Sequence, residues 1–420
     1  RSSIRLKCTL HENSRENYSY YMTHLLDQVS LVSQRKTRLL EVMRLNDVPV
    51  ILTADPISIL YATGARNMTI HGFTGPDRFM LLFQDGYTVL YEFAGCEHLA
   101  ADLPEINEIR PAPGITAKKT LLYADQVQAF ANELFAVCSE RMADTQHRIA
   151  VEKLEFPMTD SLRSKGFHLI DAGPTIQMSM SIKQPDELEA IRQAMRVVEK
   201  ATTELESAIT PGATENEVWA AFHRGLIASG GEYVVTRLLQ AGERTFPYFL
   251  ESSDHQLQSG DLVCFDTDAM SLHSYSIDFS RTFLCGNDSP TPQQKNIYRL
   301  ALEQLEHNAS HLAPGKSFEE FASNAFEVPE RYRNFGYYQL AHGLGLAGGY
   351  PNVPRIGDVP YGLPGEMLPG MVLCIESYIG DPETRQGVKL EDQYFIHADH
   401  VERLSRFPLD SRLSHTLLRN

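Results

Sequence analysis

At 420 residues the chain is long enough for two ordinary domains, each with a full core. Its residues are 43% apolar and 22% charged, a globular balance, and 54 Asp+Glu against 38 Lys+Arg give a formal net charge of −16. Such a charge repels phosphate backbones and anionic lipid, and no Lys/Arg block offsets it, which argues against nucleic-acid and membrane partners. The cysteines (Cys8, Cys96, Cys138, Cys264, Cys285 and Cys374) are scattered without a C-x-x-C pair and read as reduced packing thiols. The opening stretch lacks the apolar segment of a secretion signal, and no apolar run approaches the ~20 residues of a spanning helix. The expectation is a soluble, cytoplasmic protein.

In chain order, residues 1–30 are polar and irregular, an amino-terminal arm. From 31 to about 180, short strands alternate with helices. "VPVILTA", "KKTLLYA" and "HRIAVEK" read as strands, and "RFMLLFQDGYTVLYEF" as a hairpin turning at Asp85-Gly86. Pro185 marks a boundary, because beyond it Leu188, Ile191, Met195, Val198 and Leu205 recur at helical spacing. Pro211-Gly212 stops that helix, and Thr214 with Glu217 reads as a capping box opening the next, which carries Trp219. Beyond residue 230, strands are expected at 232–240, 261–268, 275–284, 371–379 and 387–397, with a helical stretch at about 290–327. The expected organisation is the arm (1–30), an α/β domain (31–183) and an α+β domain (184–420).

The stretch "DLVCFDTDAMSLHSYSIDFSRTF" (261–283) sets three acids among strand-forming residues. As a hairpin centred on residue 272, it places Asp266 opposite Asp278, with Asp268 on the same face by strand alternation. Like charges opposed across a sheet are destabilising, so Arg281, a shared proton or divalent cations must compensate. A second hairpin, "GMVLCIESYIGDPETRQGVKLEDQYFI", sets Glu376 opposite Glu391. Between the two lies "LAHGLGLAGG", in which His342 heads a glycine-rich turn. Any one of these acids alone reads as a solvated hairpin face, and His342 alone as a turn histidine. Together they form an oxygen-rich set with one imidazole, which suits Mn, Fe, Co or Zn, and bridging carboxylates suit two ions about 3.5–4 Å apart.

In this order and with these flanks, Asp266, Asp278, His342, Glu376 and Glu391 resemble the metal ligands of the creatinase/aminopeptidase (M24, pita-bread) superfamily. "IKQPDELEAIRQA" is similar to the helix that opens its catalytic domain, and the first half resembles a creatinase-type amino-terminal domain. The fold implied is a creatinase-like α/β domain followed by an α+β pita-bread domain. Peptidases of the superfamily carry a histidine in a P-H motif, where this chain has Pro247-Tyr248, and a second in an H-E-P-like motif, where it has "AGGYP". Those histidines handle the peptide carbonyl and the proton transfers of hydrolysis, so ordinary peptidase chemistry is disfavoured.

The departures resemble the dimethylsulfoniopropionate lyase branch of the superfamily, through "FDTD" (265–268), "GGEYVVTRLLQAGERTFPYF", "DPISILYATGARNM" and "KLEDQ". That branch catalyses a β-elimination giving dimethyl sulfide and acrylate. The resemblance implies two divalent ions (Fe, Zn or Mn) on Asp266, Asp268, Asp278, His342, Glu376 and Glu391, a small-molecule substrate and a homodimer. The branch's proposed base, an acid six positions after the ligand histidine, falls here on Gly348, with Gly349 next. Tyr337, which by resemblance faces the substrate, is the first candidate to replace it, with Tyr350 and metal-activated water following; a tyrosine base needs a depressed pKa. An onium group prefers aromatic faces, for which Phe246, Tyr248, Phe249, Tyr337, Tyr338 and Tyr350 are candidates. The alternatives are a metal-dependent C–N hydrolase, acting on an Xaa-Pro dipeptide or an ectoine-like compound, and a catalytically silent binding homologue.

Overall fold

A computed structural model of the chain describes residues 26–115, 121, 123–142, 147–358 and 363–414. Cys8 and most of the expected arm lie outside these residues, and the first described helix, Gln28–Leu45, already begins within the arm's expected range. Most of the strand expected at "KKTLLYA" also lies outside, and at Ala124 a helix begins instead, running to Arg141.

In the first half, strands Val50–Thr53 (β1), Phe79–Phe83 (β2), Thr88–Glu92 (β3), Glu108–Pro111 (β4), Arg148–Glu152 (β5) and His168–Asp171 (β6) form one sheet in the order β4-β3-β2-β1-β5-β6. Strands β1, β2 and β3 are buried along their whole length, as their unbroken apolar runs require. The β2–β3 hairpin turns at Asp85-Gly86 as expected, Gly86 taking a φ of 94°. Helix Pro56–Thr63 follows β1. Asp55 caps it by accepting from the amides of Ile57 (2.8 Å) and Ser58 (2.9 Å), and Gly64 ends it at φ 75°.

The second half opens with helices Pro185–Ala208 and Glu215–Ala228, each started by a capping box: Gln184 with Glu187, and Thr214 with Glu217. Strands Tyr233–Val234 (β7), Leu239–Ala241 (β8), Leu262–Asp266 (β9), Ala269–Met270 (β10), Ser276–Ile277 (β11) and Ser280–Leu284 (β12) make two small sheets, β11-β10-β7 and β12-β9-β8. Strands Gln339–Leu344 (β13), Gly348–Pro354 (β14), Val372–Asp381 (β15), Gln386–Ile396 (β16) and Val401–Arg403 (β17) make a larger sheet, β14-β13-β15-β16-β17.

Strand alternation divides β15 and β16 by face. Leu373, Ile375, Val388 and Leu390 pack with Leu300 and Leu305 of helix Pro292–Ser310 in one apolar cluster. The opposite face carries Cys374, Glu376, Tyr378, Lys389, Glu391 and Gln393. A second apolar cluster joins the halves: Leu31, Ile57 and Ile176 share it with Ile191, Met195, Phe222, Phe265 and Phe279. Among the described residues, no helix is long and apolar enough to cross a membrane.

Two expectations need correction. His342 lies inside strand β13, between β14 and β15, and not in a turn; the tight connection is Gly345–Ala347. The first acidic hairpin is also centred one residue later than expected. Asp266 faces Ser280 and Ala269 faces Ile277, so Asp278 stands in line with Asp268 and not with Asp266. The ladder breaks at 267–268 and 278–279, and Asp268 takes a φ of 34°. The expected opposition of Glu376 and Glu391 is present in the register of β15 and β16.

Candidate metal centre

The floor of the centre follows from sheet register. Cross-strand partners share a face, so the pairs His342–Asn352, His342–Cys374 and Cys374–Gln393 make one row across β14, β13, β15 and β16. Glu376–Glu391 make the next row and Tyr378–Lys389 the third. Asp266 ends β9, Asp268 follows it, and Asp278 sits in the break before β12; these three close over the floor from the small sheets. Asp266, Asp278, Glu376 and Glu391 are buried and Asp268 is partly buried.

His342 Nε2 lies 3.3 Å from Glu376 Oε1, 3.4 Å from Glu391 Oε1 and 3.5 Å from Asp278 Oδ2. Its Nδ1 is 3.3 Å from the Gly343 carbonyl, which favours a proton there and leaves Nε2 facing the acids. Ligand atoms of Asp278, His342, Cys374 and Glu391 all fall within 4.8 Å of one another, so Cys374, expected as a packing thiol, borders the cluster.

The outer side of the cluster is held by a residue the sequence reading passed over. Lys389 is fully buried, and its Nζ donates to Glu391 Oε2 (2.7 Å), Glu376 Oε2 (2.9 Å) and Ser280 Oγ (3.0 Å), with Asp266 Oδ2 at 3.5 Å. Each glutamate therefore has one oxygen anchored by the ammonium and the other turned toward His342. A signal existed: in "KLED", alternation places Lys389 on the face of Glu391. Arg281, expected as a compensating charge, instead binds Asp392 Oδ1 (2.9 Å) and the Phe407 carbonyl, away from the acids. Further donors fix Asp266, Asp268 and Glu391. The Tyr248 hydroxyl donates to Asp266 Oδ2 (2.5 Å), Thr236 Oγ1 to Asp268 Oδ2 (2.7 Å) and Ser280 Oγ to Glu391 Oε2 (2.9 Å).

This crowding shapes the protonation of the site. Burial pushes Asp268 up to about 6, helped by the charge of Asp266, and pushes Glu376 up to about 7 against the pull of Lys389. Burial and the Glu391 charge drive Asp278 well above the carboxylate range. Burial also acts upward on Asp266, but the Lys389 ammonium and the Tyr248 hydroxyl outweigh it and hold this acid low. Burial opposes the charged form of His342, yet the Asp278, Glu391 and Glu376 carboxylates facing it carry it well above its ordinary value.

Whether these residues suit a metal can be judged from their unpaired atoms. Asp266 Oδ1, Asp278 Oδ1 and Glu391 Oε1 are buried with no hydrogen-bond partner among the described residues. An unsatisfied buried polar atom costs about 1–3 kcal/mol, and more if charged, so three in one cluster call for cations. Carboxylate oxygens with one imidazole nitrogen are a donor set for divalent transition metals. The residues fit.

A cavity of about 480 Å³ opens over the acids, walled by Tyr248, Phe249, Tyr337, Gln339, Asn352, Gly348 and Gly349. Tyr248 stacks on Tyr378 at 4.8 Å and meets Phe249 at 4.2 Å and Tyr337 at 5.4 Å. The loop carrying Tyr248 and Phe249 is tied down by the fully buried Glu215, which accepts from Ala241 N (2.8 Å), Ser253 N (2.9 Å) and Arg244 Nε (3.0 Å). The other expected aromatic residues lie elsewhere. Phe246 packs under Phe335, Tyr338 is exposed beside Tyr337, and the Tyr350 hydroxyl reaches the Pro364 carbonyl, outside this cavity. Tyr337 donates to Gln339 Oε1 (2.9 Å), and burial with the Glu376 charge pushes its phenol up, the reverse of what a base requires.

Comparison with known proteins follows the same lines. The model of metallopeptidase family M24 matches residues 189–398. The dimethylsulfoniopropionate lyase DddP of Roseobacter denitrificans is 30% identical over 419 residues, spanning 94% of this chain and 91% of that protein. The Xaa-Pro dipeptidase of Pyrococcus furiosus is 30% identical over 260 residues, 60% of this chain and 72% of its own. Among solved structures, prolidase from Pyrococcus furiosus aligns with a TM-score of 0.69 at 23% identity, covering 87% of this chain and 99% of that one.

Proposed function

The chain belongs to metallopeptidase family M24 and has its pita-bread fold, and from that premise we propose that it is a dimetal-dependent lyase of the DddP type. Its substrate would be dimethylsulfoniopropionate or a related small carboxylated onium compound, cleaved by β-elimination to dimethyl sulfide, or the corresponding neutral leaving group, and acrylate. The observation that carries this reading is the match to the lyase along nearly the whole chain, with Asp268 beside Asp266. A homodimer in the cytoplasm and a division of the chain at 183/184 belong to the same reading.

Asp266, Asp268, Asp278, His342, Glu376 and Glu391 would hold two divalent ions (Fe, Zn or Mn). When bound, such ions supply a positive anchor for the substrate carboxylate and stabilise the enediolate-like charge left when an α proton is lost. Lys389 keeps Glu376 and Glu391 aimed inward, and Tyr248 does the same for Asp266. Tyr248, Phe249 and Tyr337 offer ring faces to the onium group, each worth about 0.5–2 kcal/mol. Lys389 Nζ already stands 5.6 Å from the Tyr248 ring and 5.9 Å from the Tyr337 ring, so the substrate cation takes the faces turned away from it. The β C–S bond then breaks with its electron pair leaving on sulfur, and a neutral thioether needs no protonation to depart. With Gly348 bearing no acid and Tyr337 held as a phenol, the α proton passes to a cluster carboxylate or to water.

Metal-dependent C–N hydrolysis is the second reading, favoured by the dipeptidase match and by the absent acid at Gly348. Metal-loaded protein with dimethylsulfoniopropionate separates the two. The lyase reading expects headspace dimethyl sulfide, and no sulfide above a His342→Ala control overturns it. Proline release from Xaa-Pro dipeptides without sulfide favours the hydrolase.

A further inference from the structure

Three cavities meet at one residue. The chamber over the acids (about 480 Å³), a largely apolar chamber of about 330 Å³ and a smaller one of mixed lining, about 160 Å³, toward Glu152 and Lys153 all have Gly348 in their walls. Among the described residues, no other lines all three. Backbone conformation does not demand glycine there, since Gly348 is outside the positive-φ set. A Cβ on Gly348 would meet nothing within 4 Å. The missing side chain is therefore open space at a junction. Gly349 differs: a Cβ there would come within 2.6 Å of Gln177 Oε1, which accepts from Tyr350 N and already fills that place.

The apolar chamber borders Asp268, Asp278 and His342 directly, so a ligand headed at the acids can extend into it without leaving the site. Its walls include Ile57, Val234, Phe73 (47% exposed) and Val235 (63% exposed). Exposed apolar surface lining a concave site gains most when a ligand covers it. We propose that Gly348 is a specificity-determining residue that joins the acid chamber to the apolar one. The site then takes a carboxylated onium compound bearing an alkyl substituent longer than methyl, with its carboxylate at the acids and its chain against Phe73, Val234 and Val235. The onium class rests on the function proposed above; the chamber and its alkyl occupant do not.

The test is calorimetric binding of straight-chain carboxylates, from propanoate to octanoate, to the Zn²⁺-loaded protein. Affinity is expected to rise about fourfold per methylene as the chain enters the chamber. Gly348→Leu is expected to flatten that slope; Val235→Asn, on an exposed side chain, is expected to weaken octanoate alone. Equal affinities across the series in the wild type, or an unaltered slope in Gly348→Leu, overturns the proposal. Dimethylsulfoniopropionate and its longer S-alkyl homologues are assayed in parallel. A preference for the longer homologues that Gly348→Leu abolishes supports the proposal. A chain-length slope in binding with no thioether released from any homologue overturns the lyase reading and leaves the chamber standing.

Discussion

Ten consecutive residue pairs hold β15 against β16, whereas the opposing wall of the chamber is a loop, a broken hairpin and a run of glycines. On the strand side, the inward carboxylate oxygens are aimed by a partner on the outward one, and the Leu and Ile residues between them lock the sheet onto a helix. On the facing side, Tyr248 and Phe249 ride a loop tethered through Glu215, and the strand connection ends in Gly348 and Gly349. The difference separates two kinds of information. Paired strands specify where charge is placed; the looser wall specifies what fits above it.

The sharpest way to break this contrast is on the strand side. His342→Ala removes the one imidazole facing three acids, and activity is expected to fall by more than the roughly 10–100-fold typical of an outer-sphere partner. Metal content by elemental analysis and turnover check it together. Lys389→Met leaves Glu376, Glu391 and Asp266 without their counter-charge. We expect a loss of about 3–5 kcal/mol in the metal-free protein, because an uncompensated buried charge remains, with part of the loss recovered on adding divalent ion. Denaturant melts with and without Zn²⁺ measure it. Across the chamber, Tyr248→Phe keeps the ring and removes the hydroxyl from Asp266, a charged hydrogen bond worth about 1.5–3 kcal/mol. A roughly tenfold or greater loss of metal affinity is the expected result.

Smaller and more graded is the effect of pH. Glu376 is held at about 7 and Asp268 at about 6 in the folded metal-free protein, both above their unfolded values. The folded state therefore binds these protons more tightly. Their stabilising contribution is present below the unfolded carboxylate range and is lost as pH rises through 6 and 7. Metal-free protein should melt at lower temperature at pH 8 than at pH 5. Metal must displace the same protons, so its affinity should rise over that window by about tenfold per pH unit for each proton displaced. A flat melting curve for the metal-free protein across this range would contradict the picture of a crowded, under-compensated acid cluster.

Much of the strand side was legible in the amino-acid sequence, because alternation and symmetric spacing survive folding when a hairpin is regular. Glu376 and Glu391 fall where their spacing about a turn places them. The helix starts at Pro185 and Thr214 were equally open to reading, since caps are local chemistry. The first acidic hairpin was misplaced by one residue because its ladder breaks at Asp268 and its turn uses His273 (φ 59°) and Ser274 (φ 63°), residues that do not announce a left-handed turn. Strand β13 was hidden by Gly343 and Gly345, which dilute the apolar alternation around His342. Lys389 was passed over because a lysine in a strand ordinarily faces water, and only three-dimensional packing puts it against three acids. The positions of Tyr350 and Phe246 depend on tertiary contacts with Pro364 and Phe335 that no local pattern reports.

The apolar cluster shared by the two halves has a further consequence. Leu31, Ile57 and Ile176 are packed into the same core as Met195 and Phe279, so continuous apolar packing ties the amino-terminal half to the metal-bearing half alongside the chambers that open between them. Hinge closure between lobes needs an interface that can part without exposing core, and this one cannot. What fits above the acids is thus left to single side chains at the mouth, while the angle between the halves stays as it is.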